Sequence, residues 1–364
     1  MKARVLCFTS LSTALLVATA FAAAAAPAKG SYGLVVTRFL YALEAGDAAR
    51  CPQGMAVNGT EFLLQRLSSS ERKRLSNPDL TMEMLNRQRY GAKGEDLCGD
   101  PHSIPDPGFR TVQGNGTARG LDLAGSQSPG STCEHGRFVS AEGKPIDNQL
   151  YRLLGCVKGY QPGDAIESYH SSAYNSGEMT VLLELIGVDD PANDPEVEVG
   201  IFASSDPAPI VSPGVALRNY SLQVHDDARY HSRLRGRIRD GVLTTDPGDV
   251  RLQLNTGFVR ADHVLKSARL ELKLAADRSV TGQLAGYYDV DAFYDQIRKA
   301  GGFAQPSVGY TCPGLFNALH RLADGNRDPA SGQCTSISMA FSLDAVPAFV
   351  IHPGGKGPVQ SAER

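Results

Sequence analysis

The sequence predicts a mainly β protein with some helix. The expected architecture is an antiparallel β-sandwich of jelly-roll type, preceded by a loop-rich, disulfide-stapled region and followed by two short helices. Three observations predict it. Between residues 179 and 288 apolar and polar residues alternate in one short run after another, as in strands with one dry and one wet face. From Asp96 to Asp147 that periodicity disappears under Gly, Ser, Pro, Asn and Asp. Six cysteines outside the first thirty residues supply staples.

The elements follow in chain order. Lys2 and Arg4 precede an apolar run from Leu11 to Ala26, which is the pattern of a secretory signal peptide over residues 1–28. Cleavage is expected between Ala22 and Ala28. Residues 29–165 form the loop-rich, stapled N-terminal region, 166–352 a β-sandwich domain with helices, and 353–364 a disordered tail. Leu34-Val35-Val36-Thr37 and Phe39-Leu40-Tyr41 read as a strand, with a helix as the close alternative. Phe62, Leu63, Leu67 and Leu75 fall near helical spacing, and a second short helix is expected over Leu80–Arg89, ended by Gly91.

In the second half, Val181, Leu183 and Leu185 open the alternating series, and Val197, Val199 and Ile201 continue it. Tyr220, Leu222 and Val224 form a third run. Arg235 to Thr245 is a hairpin, because Asp240-Gly241 supplies a turn with positive φ. Val250 to Leu254, Ala268 to Leu274 and Val280 to Tyr288 complete the series, the last two as hairpin partners. Asp289 or Asp291 can cap a helix through Lys299. Pro313 suits a first helical position, with Gly325 as the stop. Ile337, Met339 and Phe341 alternate in a final strand.

Composition bounds the function. The 364 residues carry 36 Lys+Arg against 39 Asp+Glu, a formal net charge of −3 that gives no electrostatic case for a nucleic-acid partner. Loss of the signal segment removes Lys2 and Arg4 and makes the chain more acidic. It also removes Cys7, leaving Cys51, Cys98, Cys133, Cys156, Cys312 and Cys334. Six cysteines allow fifteen connectivities, of which the most local is Cys51–Cys98, Cys133–Cys156 and Cys312–Cys334. No later stretch is long or apolar enough to span a membrane. With no Trp, the large ring face common in sugar-stacking platforms is missing, and Tyr287 with Tyr288 is the best aromatic pair.

The chemistry-bearing residues gather between Gly120 and Cys156. Asp122, Asp147 and Asn148 are hard oxygen donors on a Gly-rich loop pinned by cysteines, and calcium takes six to eight such oxygens. They define a candidate structural calcium site. The bland alternative is that Asp147, Asn148 and Gln149 cap the following helix. Asp122, His135 and Asp147 also make a candidate base–orienter set for a hydrolase, although no G-x-S-x-G elbow is present. The acidic loop Asp189-Asp190 to Asn193-Asp194 reads as a turn, and His225, Asp226, Asp227 and His231 as a polar loop. His170 is assigned to the surface.

The segments CPQG at Cys51, GLDL at Gly120, CEHGRF at Cys133, IDNQLYRLLGC at Ile146, GVDDPANDPEVEV at Gly187, RDGVLTTDPGDVRL at Arg239 and LHRLADGNRDPASGQCTSIS at Leu319 span about Cys51 to Val350. On them the chain resembles a family of exported, mostly proteobacterial proteins of unassigned activity. The resemblance implies export, and no catalytic role carries over from it. The resulting expectation is a periplasmic or extracellular protein that binds an unspecified ligand or envelope partner. A secreted hydrolase with its site around residues 120–149 is the alternative.

Overall fold

A computed structural model describes residues 30–56, 68–74, 90, 93–123, 133, 135–212, 215–255, 260–299 and 310–353. Strand β1 (Gly30–Tyr41) is followed by a short helix α1 (Ser69–Arg74) and by the paired two-residue strands β2 (Phe138–Val139) and β3 (Pro145–Ile146). Helices α2 (Gln149–Leu154) and α3 (Ala165–Ser176) come next. Then come β4 (Thr180–Val188), β5 (Asp194–Ser204), the small pair β6 (Ile210–Ser212) and β7 (Val215–Ala216), and β8 (Tyr220–Gln223). The series continues with β9 (His231–Arg239), β10 (Val242–Thr245), β11 (Gly248–Asn255), β12 (Arg260–Leu274) and β13 (Val280–Asp289). Helices α4 (Val290–Lys299) and α5 (Cys312–Leu322) lead through β14 (Gly325–Arg327) to the long β15 (Cys334–Ile351).

Eight of these strands close into an antiparallel barrel, in the order β1-β4-β5-β9-β10-β12-β13-β15 and back to β1. This corrects the expected jelly-roll sandwich. The alternation that predicted two packed sheets is equally the pattern of one sheet rolled onto itself, since both have one dry face. What decides is the first strand. β1 pairs with β4, placing Leu34 opposite Leu183, and also with β15, placing Leu34 opposite Pro347 and Tyr41 opposite Phe341. The two edges that a sandwich would leave are thereby joined.

The inner face is packed rather than hollow. Leu183, Ile201, Leu243, Leu272, Leu284 and Phe341 are all buried on it. A register shift between Val36 and Arg38 in β1, and another between Lys266 and Arg269 in β12, let the strands bend while apolar residues stay inside. Gly282 sits where β13 crosses β12 so closely that a Cβ would lie 2.0 Å from the Glu271 carbonyl oxygen. The β9–β10 hairpin turns at Asp240 (φ 50°) and Gly241 (φ 73°), as its sequence predicts. Outside the barrel, Ala42, Leu121, Leu123, Ala285, Tyr287 and Ala340 form a second small core. It holds the loop-rich region against the wall made by β13 and β15.

Helix ends follow the expected rules with one exception. Asp289 accepts the Ala292 amide at 2.8 Å, and Thr311 caps α5 ahead of Pro313. However, α5 ends at Leu322, and Gly325 belongs to β14, paired opposite Ser336. Helix α1 lies within the stretch from Phe62 to Leu75 whose spacing predicts a helix. The predicted helix over 80–89, the signal segment and the tail beyond 353 lie outside the described residues. Helix α3 was not anticipated. Its residues Ala165–Ser176 have little apolar patterning, and its ends are set by Asp164 at the start and Gly177 (φ 77°) at the finish.

All six predicted cysteines are paired, but not locally. The bridges are Cys51–Cys156, Cys98–Cys312 and Cys133–Cys334. Two of them tie the loop-rich region to α5 and to the start of β15, with sequence separations of 214 and 201. Spacing could not indicate this, because the partners meet only after the barrel brings β15 beside the N-terminal half. The double variant C98S/C312S is expected to lose roughly 2–5 kcal/mol of stability in urea unfolding. Non-reducing peptide mapping should recover the three long-range bridges, and recovery of the local set would refute this connectivity.

Candidate functional site

The barrel has two unlike ends. Helix α3 enters β4, α4 leaves β13, and α5 precedes β15, so the helices gather at one end. At that end β1 contributes Phe39 and Tyr41, and Phe39 stacks on Phe341 at 4.2 Å. The ring of His170 from α3 lies 5.5 Å from Tyr41, and Nδ1–H donates to the Phe39 carbonyl at 3.3 Å. A second buried histidine, His263 of β12, has Nε2 at 3.2 Å from the Gln296 amide oxygen on α4. The Gln296 nitrogen donates to the Tyr288 hydroxyl, which donates to the Asp262 carbonyl. That direction of donation assigns the proton of His263 to Nε2. Burial lowers both histidines to about 4, so each is neutral at physiological pH. It also pushes the phenols of Tyr41 and Tyr160 well above their usual range. This end is a packed plug.

Among the described residues the opposite end is open. There the β4–β5 connection, the Asp240-Gly241 turn and the β12–β13 turn surround a cup of about 430 Å³. Its walls are Tyr32, Leu34, Leu185, Leu274 and Val280, with Asp240 and Arg278 at the rim. A volume in this range with apolar walls and few polar groups suits a small ligand. A side groove of about 230 Å³ shares Tyr32, Leu34 and Arg278 with the cup and continues past Arg218 and Asp277. The guanidinium of Arg278 lies 5.1 Å from the centre of the Tyr32 ring.

The sequence-predicted residues do converge, around a cation that the sequence reading passed over. Arg137 donates from Nε to Asp147 at 2.8 Å and from Nη2 to Asp122 at 2.6 Å. The Leu123 amide donates to the other Asp147 oxygen at 2.8 Å. Asn148 caps α2 by accepting the Tyr151 amide at 3.0 Å, while its amide nitrogen donates to the carbonyls of Ala42 and Arg119. Gln149 donates to the Gly136 carbonyl at 2.9 Å. His135 Nε2 lies 2.8 Å from the Ala323 carbonyl. The three oxygen donors offered to calcium are therefore engaged with Arg137 and with backbone amides, and they do not fit a calcium shell. Among the described residues no group of three or more His, Cys, Asp and Glu is placed to hold a metal.

Comparison with family models, curated proteins and solved structures returned no match. The chemistry therefore rests on this chain's own geometry. The other polar clusters serve turns. Asp194 accepts the Asp189 and Glu196 amides at 2.6 and 3.0 Å. Asp227 accepts the Arg229 amide at 3.0 Å, and His231 Nε2 lies 2.6 Å from the His225 carbonyl. Tyr287 and Tyr288 are both buried, one in the outer core and one in the barrel. His170, expected at the surface, is only 4% exposed. The misassignment arose because its helix lacks an apolar stripe.

Asp324 escaped notice because a single Asp after Leu-Ala carries no motif. It is buried beside the Arg137 network and accepts the Ser338 amide at 2.6 Å. Burial lifts its carboxyl to about 7 against the Ser338 hydrogen bonds, and the Asp147 charge adds to the rise. The fold thus favours protonated Asp324. Its contribution to stability is full below about pH 4 and is lost as pH rises toward 7. The two histidines act in the opposite sense: their contribution is full above about pH 6.5 and is lost as pH falls toward 4. Asp324→Asn should therefore gain stability relative to the parent as pH rises from 4 to 7.5, followed by urea unfolding across that range. A constant difference would refute the assignment.

Proposed function

We propose that this is an exported, disulfide-framed binding protein whose ligand seat is the cup at the open end of the barrel. The observation that carries the reading is the contrast between the two ends, one plugged by helices and aromatic rings and the other an apolar cup of about 430 Å³. Export is supported by the signal-like first 28 residues, by three disulfides and by the resemblance to exported proteobacterial proteins. Among the described residues no helix is long and apolar enough to cross a membrane. The hydrolase alternative is not adopted, since Asp122 and Asp147 both serve Arg137 and His135 faces a backbone carbonyl.

The absence of Trp provides a clean test. Ala192 is exposed at the cup and carries no core packing, so Ala192→Trp places a bulky ring in the mouth without disturbing the barrel. The neutral apolar dye N-phenyl-1-naphthylamine is expected to bind the parent protein and to bind A192W at least about tenfold more weakly, with melting temperature unchanged. Equal binding to both would place the seat elsewhere and reject the reading.

A further inference from the structure

We infer that the ligand of the cup is a single-chain amphipathic anion, a medium-length acyl carboxylate held head-out by Arg278 with its chain against the apolar walls. The inference rests on the binding reading above and adds the chemical class.

Arg278 is the unusual residue of this end. It sits in the β12–β13 turn with φ 65°, the left-handed region that Gly, Asn and Asp occupy more readily. Turn geometry alone would select one of those. Asp240 on the facing hairpin is also left-handed, at φ 50°, but there Asp-Gly is the expected turn pair. Local chemistry thus accounts for Asp240 and does not account for Arg278. Nor is Arg278 spent on neutralising a neighbour. The adjacent acid, Asp277, is taken by Arg218 at 2.6 Å and by the Ser279 hydroxyl at 2.6 Å. Among the described residues the Arg278 guanidinium makes no ion pair, and its one specific side-chain contact is the face of Tyr32. Tyr32 lines both the cup and the side groove, so the cation is anchored at the point where they meet.

The rest of the cup fits the tail of such a ligand. Leu34, Leu185 and Val280 are buried at its base, and Leu274 is half-buried at the wall. Below them the barrel is filled by its own side chains, so the seat is shallow and favours a medium chain over a long one. Among the described residues the rim has Arg278 as its free cation with Asp240 opposite, which suits a monoanionic head better than a multiply charged one.

The test displaces the neutral dye with decanoate and with decanol, which share a chain and differ in the charge of the head. Decanoate is expected to bind about tenfold more tightly than decanol, in keeping with one charge-assisted hydrogen bond. In Arg278→Asn that preference should vanish while dye binding persists. The melting temperature should stay the same or rise, since Asn accepts the left-handed turn. Equal affinities for the two ligands in the parent, or an unchanged preference in R278N, would overturn the anionic class while leaving the binding reading intact. Failure of the dye and of both ligands to bind the parent would overturn the binding reading and this inference together.

Discussion

The double pairing of β1 is the constraint on which the molecule depends. One strand hydrogen-bonds to β4 on one side and to β15 on the other, and so turns a meander into a closed ring. Closure joins the two edges of the sheet and creates an inside that its eight strands share. It is costly to organise, because β1 and β15 lie at opposite ends of the described chain and the intervening loop entropy must be overcome. The inward-facing Leu, Val and Phe side chains offset that cost through burial. The disulfides reinforce the same closure by joining the N-terminal region to the α5–β15 segment.

Closure also makes the two ends different. The ends of β1 and β13 and the start of β4 run into loops and helices that fold over one opening and fill it with Tyr41, His170, His263 and Tyr288. Each imidazole there has a hydrogen-bond partner, and burial keeps both neutral against the upward pull of those bonds. Among the described residues the other opening is bounded by tight turns, whose few residues do not reach across it. Among the described residues no helix covers that end of the packed barrel, and an apolar cup remains there. Asp122 and Asp147 lie outside the barrel wall, where Arg137 gathers them and α2 is anchored to Ser338 of β15.

Much of the local structure was legible. The strands over 34–41, 181–186, 197–201 and 268–274, the Asp240-Gly241 turn, the Asp289 cap and the Pro313 helix start all follow from residue type and spacing. The helix-capping role of Asn148 was also readable, since a polar residue before a helical run accepts an amide readily. Helix α3 was not, because its stability comes from packing His170, Ala173 and Tyr174 against the barrel rather than from an amphipathic stripe. The cup was illegible for a related reason. Tyr32, Leu185, Leu274 and Arg278 are scattered over some 250 residues and meet only because four strands place their ends together.

By itself, then, the sequence determined where the strands lie, which of their faces are dry, which turns reverse them and that six cysteines are available to pair. These are local matters of period, φ preference and composition. The tertiary structure alone decided that the sheet is a barrel and not a sandwich, that the cysteines pair across the chain, and that one end is plugged and the other open. Each of those depends on which distant strand becomes a neighbour, and alternation of apolar residues is the same whichever partner is chosen.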